Sequence, residues 1–411
     1  MRVLILNQAF YPDVVSTAQH ATDLAVELVA RGHEVSAISS RRAYDNPEVV
    51  FRECESWRGV TIRRVPCLGL GKKAKWRRAA DFASYFATCF LTLLRAPRCD
   101  VVVALTSPPL ISVLAALFAR LRGSRFVFWV MDLNPDEALA AGWLRERSFA
   151  ASCLKLLLRY SLVRADRIVA LDRFMQERLL EKGVPGRRID VIPPWSHDRM
   201  VKYSPSGREA FRAEHGLAGR FVVMYSGNHS PCHPLDTLLG AAAELAVRDE
   251  IAFCFVGGGS EFAKVRAFAR ARGLVNVVCL PYQPLEKLSA SLSAADLHVV
   301  VLGDPFVGIV HPCKIYNILA VGSPVLYIGP APSHVTEILS GLPRTHALMR
   351  RHGDVGGVAA SILASFRARV RPLSQIRIAT AWSQESVLPR MCRVIEAGRG
   401  EPALPAEANA A

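Results

Sequence analysis

Short runs rich in β-branched and aromatic residues recur along the whole chain, each parted from the next by a helix-patterned segment. In the first half they read RVLILN, EVSAIS, TIRRVP, DVVVAL, RFVFWVM, RIVAL and IDVIPP. In the second they read FVVMYSG, IAFCFVGGG, VVCLPY, LHVVVL and PVLYIG. That alternation predicts an α/β protein with parallel sheets covered by helices on both faces. At 411 residues the chain exceeds what one core usually spans. The polar, proline-bearing stretch from Pro193 to about Gly219 divides it into expected domains over 1–195 and 196–375. A C-terminal helix over 376–397 is expected to cross back to the first domain, and a tail over 398–411, with little to bury, to be disordered.

Two doubly wound domains facing each other would place the ends of both sheets on one interdomain cleft. Ligands of such sheets bind beyond the carboxyl ends of the strands. The candidate segments are therefore 10–17, 106–109, 132–137, 227–233, 257–260 and 308–314. In GIVHPCKIYNILAVGSPV, Lys314 opens a helix with no carboxylate in the segment. A cation at the positive end of a helix is accounted for by a bound anion, or by plain solvation of the lysine. FVGGGSE ends a strand and opens a helix, which suits a phosphate cradle and equally a tight turn. YSGNHSPCH gathers Asn228, His229 and His233 on one loop. Asp132 follows RFVFWV, either as an N-cap or as a carboxylate that binds or deprotonates a hydroxyl. No GxGxxG follows the first strand, which argues against a dinucleotide dehydrogenase.

The net charge of +15 asks for an anionic partner: nucleic acid, a membrane surface or a phosphorylated metabolite. No nucleic-acid module or aromatic-basic strand surface is present in the sequence, so no nucleic-acid partner is expected. The ten cysteines occur singly, without CxxC or zinc spacing, as expected of reduced thiols in a cytoplasmic protein without a structural metal. MRVLILNQ goes straight into a strand, so no signal peptide is expected. No apolar stretch reaches the roughly 18–20 residues of a membrane span. The longest, 82–94, follows the basic run KKAKWRR. That pattern fits an amphipathic helix on an anionic membrane surface, or a core helix packing Phe82, Phe86, Phe90 and Leu93 on the sheet.

Taken in order, FYPD, LAVELVARGHEV, LTSPP, MDLNPDEALAAGWL, ADRIVALDRFMQERL, DVIPPW, YSGN, FVGGGSE, AADLHVVVL, HPCKIYNILAVGSPV and AWSQES resemble the family 4 glycosyltransferases. The likeness is greatest to the branch building bacterial exopolysaccharide and O-antigen, the colanic-acid type, and it covers nearly the whole chain. The resemblance implies the GT-B fold, with two Rossmann-like domains. It also implies a nucleotide-sugar donor on the second domain, a lipid-linked or polysaccharide acceptor on the first, transfer with retention, and no cofactor or metal. The expected location is cytoplasmic, at the inner face of the plasma membrane. By resemblance Lys314 matches the lysine of the family's Pro-Ser-Lys-Leu turn, with Cys313 for serine, and would stabilise the departing diphosphate. Asp132 is its companion catalytic candidate. Donor-binding candidates are Gly227, Asn228, His233, Gly257, Gly258, Tyr282, Ile309, His311 and Asn317; acceptor-binding candidates are Tyr11, Ser16, Thr17 and Ser107.

Three departures from the family pattern stand out. Ile309 and Asn317 replace a pair of glutamates, Asn228 and His233 replace an arginine and a lysine, and Ser16 and Ala18 replace small glycines. A nucleotide-sugar 2-epimerase of the same fold, or a non-catalytic partner subunit, are the competing readings.

Overall fold

The computed structural model describes residues 1–44, 46–70, 75–373, 380–398 and 403. The expected disordered tail over 398–411 therefore lies, apart from Gly398 and Ala403, outside the described residues. The described residues form two compact units, Met1–Pro193 together with the last helix from Val387, and Pro194–Ser386.

The first unit begins β1 (Arg2–Leu6), α1 (Ser16–Ala30), β2 (Glu34–Ser40), β3 (Cys54–Trp57), β4 (Val60–Val65), α2 (Lys75–Arg95) and β5 (Val101–Ala104). It continues α3 (Ser112–Arg122), β6 (Arg125–Trp129), α4 (Asp136–Ala140), α5 (Phe149–Arg164), β7 (Arg167–Ala170), α6 (Arg173–Glu181) and β8 (Ile189–Val191). The sheet order is β3-β4-β2-β1-β5-β6-β7-β8. Apolar strands such as β5 (VVVA) and β6 (RFVFW) are buried along their whole length, as central parallel strands require. β3 was not expected. Its sequence CESW lacks an apolar run, and it is held by antiparallel pairing to β4 and by Trp57 stacking on Tyr11 with ring centroids 4.0 Å apart.

The long helix α2 packs along a line beside the expected stripe and shares Leu93 with it, while Phe82 and Phe86 are half-buried. Tyr85, Cys89 and Leu93 are buried, and the Tyr85 hydroxyl donates to the Ile38 carbonyl at 3.3 Å. Phe90 is exposed instead, because the fully buried line at i, i+4 and i+8 runs through Tyr85. Among the described residues no helix is long and apolar enough to cross a membrane.

The second unit contains α7 (Pro205–Glu214), β9 (Phe221–Asn228), α8 (Asp236–Glu244), β10 (Ile251–Gly258), α9 (Phe262–Ala271), β11 (Val277–Leu280) and α10 (Leu288–Ser293). Then come β12 (Leu297–Val301), α11 (Lys314–Val321), β13 (Val325–Ile328), α12 (His334–Ser340), β14 (Ala347–Arg350) and α13 (Val355–Ala368). The order is β11-β10-β9-β12-β13-β14, parallel throughout. Side chains alternate across the sheet with period two. Val223, Tyr225, Phe253 and Phe255 point to one face and pack with Leu238, Leu239, Val358 and Ile362 of α8 and α13. Val222, Met224, Ala252 and Cys254 point to the other and meet Phe211 and Leu217. Each fully buried phenylalanine contributes on the order of 1.5–3 kcal/mol to that core.

The last helix, α14 (Gln384–Glu396), buries Val387, Leu388, Met391, Cys392, Val394 and Ile395. The guanidinium of Arg125 donates to the carbonyls of Val394 and Ile395, so a first-unit side chain satisfies the otherwise orphaned end of this helix. Arg31 and His33 reach Glu396 at 3.4 and 3.0 Å.

At the far edge of the first sheet, Arg167 of β7 pairs with Asp190 of β8 out of contact with solvent, Nε to Oδ2 being 2.8 Å. Removing one partner of such a pair leaves a buried charge without its counter-ion. Asp190→Ala should lower stability by about 3–5 kcal/mol in urea denaturation. A loss below about 1 kcal/mol would show the pair to be dispensable there.

Candidate functional site

In both sheets the strand order reverses around the first strand, at β1 between β2 and β5 and at β9 between β10 and β12. Crevices at the carboxyl ends of these strands are where ligands bind in such sheets. In the second unit the register sets Gly227 opposite Gly257 and Asn228 opposite Gly258. Gly227 and Gly257 have φ of +132° and +134°, values other residues rarely adopt. A Cβ on Gly257 would collide with the Gly227 carbonyl oxygen, and one on Gly258 would lie 2.9 Å from the ring of Tyr282. The glycines are therefore a packing requirement of the two strand ends, and they leave backbone bare at the sheet edge.

Lys314, the first residue of α11, crosses that bare backbone. Its ammonium would lie 3.1 Å from a Cβ on Gly227, and it sits 3.6 Å from the ring centroid of Tyr225. The Nζ atom is buried and has no hydrogen-bond partner. Burial pushes its pKa down from 10.5 to about 7. A desolvated cation–π contact returns about 2 kcal/mol, less than it costs to bury an ammonium whose donors are all unused. The solvated-lysine reading does not apply to this side chain. What remains is a cation poised at glycine-rich strand ends, the arrangement that receives an anion.

The two histidines beside it are neutral. His229 is held by its Nδ1 at 3.0 Å from the Gly227 carbonyl and 3.3 Å from that of Gly258, edge-on to Tyr225 and Phe262. Burial, then the charge of Lys314, push it down to about 4. His233 donates from Nδ1 to the Val301 carbonyl at 2.8 Å, and the same two causes push it to about 3. His233 thus stands at the family's basic position without being a cation at neutral pH. Asn228 is exposed, and its carbonyl accepts the Tyr225 hydroxyl at 2.7 Å. His229 lies in the candidate segment 227–233, whereas Tyr225 was not among the site candidates. Tyr225, two residues before Gly227 on an alternating strand, shares that glycine's side of the sheet.

The other donor candidates make different contacts. The Asn317 Oδ1 accepts the His197 backbone N–H at 2.9 Å, and so tethers the segment after Ser196 to α11. The Ile309 N–H donates to the Phe306 carbonyl at 3.0 Å. His311 is buried, shares a hydrogen bond of 2.7 Å with the Tyr316 hydroxyl and stacks on His334 at 3.8 Å. The Cys313 thiol donates to the His311 carbonyl at 3.2 Å.

In the first unit the candidates sit at the ends of β1 and β5 and at the start of α1. The Tyr11 ring is committed to Trp57, and its carbonyl accepts Arg64 at 2.7 Å. The Ser16 hydroxyl lies 3.3 Å from His20 Nδ1, and Thr17 is half-buried one residue on. The Ser107 N–H donates to the Asn7 side chain at 3.2 Å. Thr106, in the candidate segment 106–109, and Gln8, which the sequence reading missed, have side-chain oxygens buried without a hydrogen-bond partner. Asp132 does not cap the next helix, which begins at Asp136 after Pro135 without a side-chain cap. Burial, then the nearby Glu137 carboxylate, raise Asp132 to about 8.

The glycine requirement is testable. Gly257→Ala forces a strained φ, worth about 1–3 kcal/mol, into backbone that cannot recede, and should lower the thermal midpoint. Gly356→Ala, in the open on α13, should be neutral or stabilising by up to about 1 kcal/mol. Equal midpoints for the two variants would refute the packing argument.

Comparison with known proteins fits this arrangement. Residues 17–195 match the family described as a glycosyl transferase 4-like domain. The chain is 26% identical over 84% of its length, and 87% of the relative's, to the protein of Escherichia coli K12 named as the colanic acid biosynthesis glycosyl transferase WcaI. It is 26% identical over 60% of its length, and 61% of the relative's, to the protein of Pseudomonas aeruginosa named as the glycosyltransferase WbjE. Among solved structures, Anabaena HepE in complex with UDP and glucose superposes with a TM-score of 0.70 at 15% identity, over 96% of this chain and 99% of that one. The fold is GT-B. Residues 17–195 are thus glycosyl transferase 4-like, and over most of its length the chain is similar to a glycosyltransferase named for colanic acid biosynthesis.

Proposed function

We propose that the protein is a retaining glycosyltransferase of bacterial cell-surface glycan biosynthesis. It moves a sugar from a nucleotide-sugar donor, held by the second unit, to a lipid-linked or polysaccharide acceptor. The observation that carries the reading is the buried, unpartnered ammonium of Lys314 beside the bare ends of β9 and β10. As the glycosidic bond to the donor breaks, negative charge grows on the departing diphosphate, and a cation already stripped of water stabilises it without reorganising. His229 and His233 hold the glycine ends in place by bonding carbonyls, and their neutrality leaves the ammonium as the charge at that point. UDP and glucose in the HepE complex make a uridine nucleotide the first donor to try. Without a metal in the reaction, the diphosphate charge would be met by Lys314 and backbone amides.

Lys314→Ala should lower turnover of a UDP-sugar about 10²–10³-fold. A change of only a few-fold would remove the lysine from the reaction, and a wild type with no turnover on any acceptor would favour the non-catalytic reading. Release of a converted donor without acceptor would favour the epimerase. The affinity for UDP should also depend on pH in a set direction. Below about pH 7 the ammonium is already charged; above it, binding must first take up a proton, so affinity should fall by up to about tenfold per pH unit. The fall should disappear in Lys314→Ala. An equally steep profile in that variant would assign the titration to another group.

A membrane-bound acceptor draws support from α2. Trp76 is 65% exposed, and Phe90, Leu91 and Leu94 are exposed further along the same helix, with Arg77 and Arg95 at its ends. Lys72 and Lys73 of the basic run lie outside the described residues. Each basic side chain near an anionic leaflet contributes about 1 kcal/mol, so the helix would dock by charge and by shallow insertion of Trp76. The protein should co-sediment with vesicles containing phosphatidylglycerol at low salt and release at high salt. Changing Lys72, Lys73, Lys75, Arg77 and Arg78 to Gln should weaken the binding, and failure of the wild type to sediment would favour a soluble acceptor.

A further inference from the structure

The second sheet has another charged end. At the amino ends of β9 and β12, away from Lys314 along the same strands, a cavity of about 880 Å³ opens within the second unit. Lys202, Arg208, Arg212, Arg220, Arg369 and Arg371 line it, against the two acids Glu209 and Asp296. Six cations less two acids leaves a formal charge of +4.

The acids are not free to offset that excess. Asp296 already takes Arg208 at 2.5 Å, Arg212 at 2.6 Å and the Val222 N–H at 2.7 Å. Glu209 projects into solvent, with its carboxylate 3.7 Å from Arg208. Arg220 is satisfied only by the carbonyls of Asp249 and Ile251 at 2.9 and 3.2 Å, which carry no net charge. Among the described residues, no carboxylate meets the side chains of Lys202 or Arg371. Arg369 holds a left-handed backbone at φ +43°, a strained position for an arginine, where the chain leaves α13 along the cavity wall. Burial also lowers the pKa of Arg212, an effect that Asp296 offsets in part and Arg208 adds to. Lys202, Arg369 and Arg371 reach solvent, and a concentration of like charge around an open volume attracts an anion.

We propose that this cavity is a binding site for a small, multiply charged phosphorylated ligand, separate from the donor crevice. The volume falls in the range of sites for small molecules, roughly 300–1,000 Å³. Arginine forks match phosphate oxygens two at a time, and Lys202 supplies a mobile point charge opposite them. The last turn of α11, at Ala320 and Val321, forms part of the wall, while Lys314 begins the same helix.

The test uses inorganic pyrophosphate as the probe and calorimetric titration of the full-length protein. Lys314→Ala is introduced first, so that the donor crevice does not compete. Pyrophosphate should bind this protein saturably, and adding Lys202→Gln with Arg371→Gln, both at exposed positions, should weaken that binding by about tenfold or more. The same two substitutions in the otherwise unaltered chain should leave UDP affinity within about twofold. No binding of pyrophosphate to Lys314→Ala, or equal binding with and without Lys202 and Arg371, would overturn the site. UDP binding by the unaltered chain reports on the donor crevice separately.

Discussion

Parallel pairing of β9 with β10, in the register that sets Gly227 beside Gly257, governs the carboxyl edge of the second sheet. In that register the Gly227 carbonyl fills the space a side chain at 257 would need, so both strands must end bare. Bare ends let Lys314, arriving beyond β12 on the other side of β9, lie across the backbone and against Tyr225. The same carbonyls are then free to hold His229, which closes the floor of the crevice. Shift the pairing by one residue and every side chain changes face. The lysine would lose its ring, the histidine its acceptors and the sheet its core together.

The neutrality of the two histidines follows from that arrangement. A buried ammonium raises the cost of any second charge nearby, and burial alone already disfavours an imidazolium. Carbonyl acceptors on Nδ1 give each ring a structural task that the neutral form performs. His233, where the resemblance implies a basic residue, thereby shapes the crevice as His229 does, and both leave its charge to one side chain.

What the sequence disclosed follows the range of the forces involved. Central strands such as VVVA and RFVFW are legible because double-sided burial demands apolar residues throughout, a local signature. Strands β3 and β14, with sequences CESW and ALMR, sit at sheet edges and carry little of that signature. The glycines at 227 and 257 could be picked out one by one, but their mutual obstruction belongs to a pairing across the sheet. Lys314 stood out because a cation at a helix start is locally out of place. The role of Asn317 was hidden, since its partner is the backbone of His197, 120 positions away. The packing face of α2 was legible at Leu93 and not at Phe90, because phenylalanine spacing alone does not tell which of two adjacent stripes meets the sheet.

The closing of the first unit by α14 bears on how the protein is made. During synthesis the first sheet can assemble as soon as β8 has emerged, yet Arg125 then has no acceptors for the donors it later gives to Val394 and Ile395. Arg31 and His33 likewise wait for Glu396. Until α14 has been translated, the first unit exposes the apolar surface that Val387, Met391 and Ile395 will cover. The second unit is complete earlier, so the half translated first is the half finished last. A nascent chain of this kind offers chaperones a defined sticky face for most of its elongation, and a chain that stops short of α14 has its defect in the half translated first.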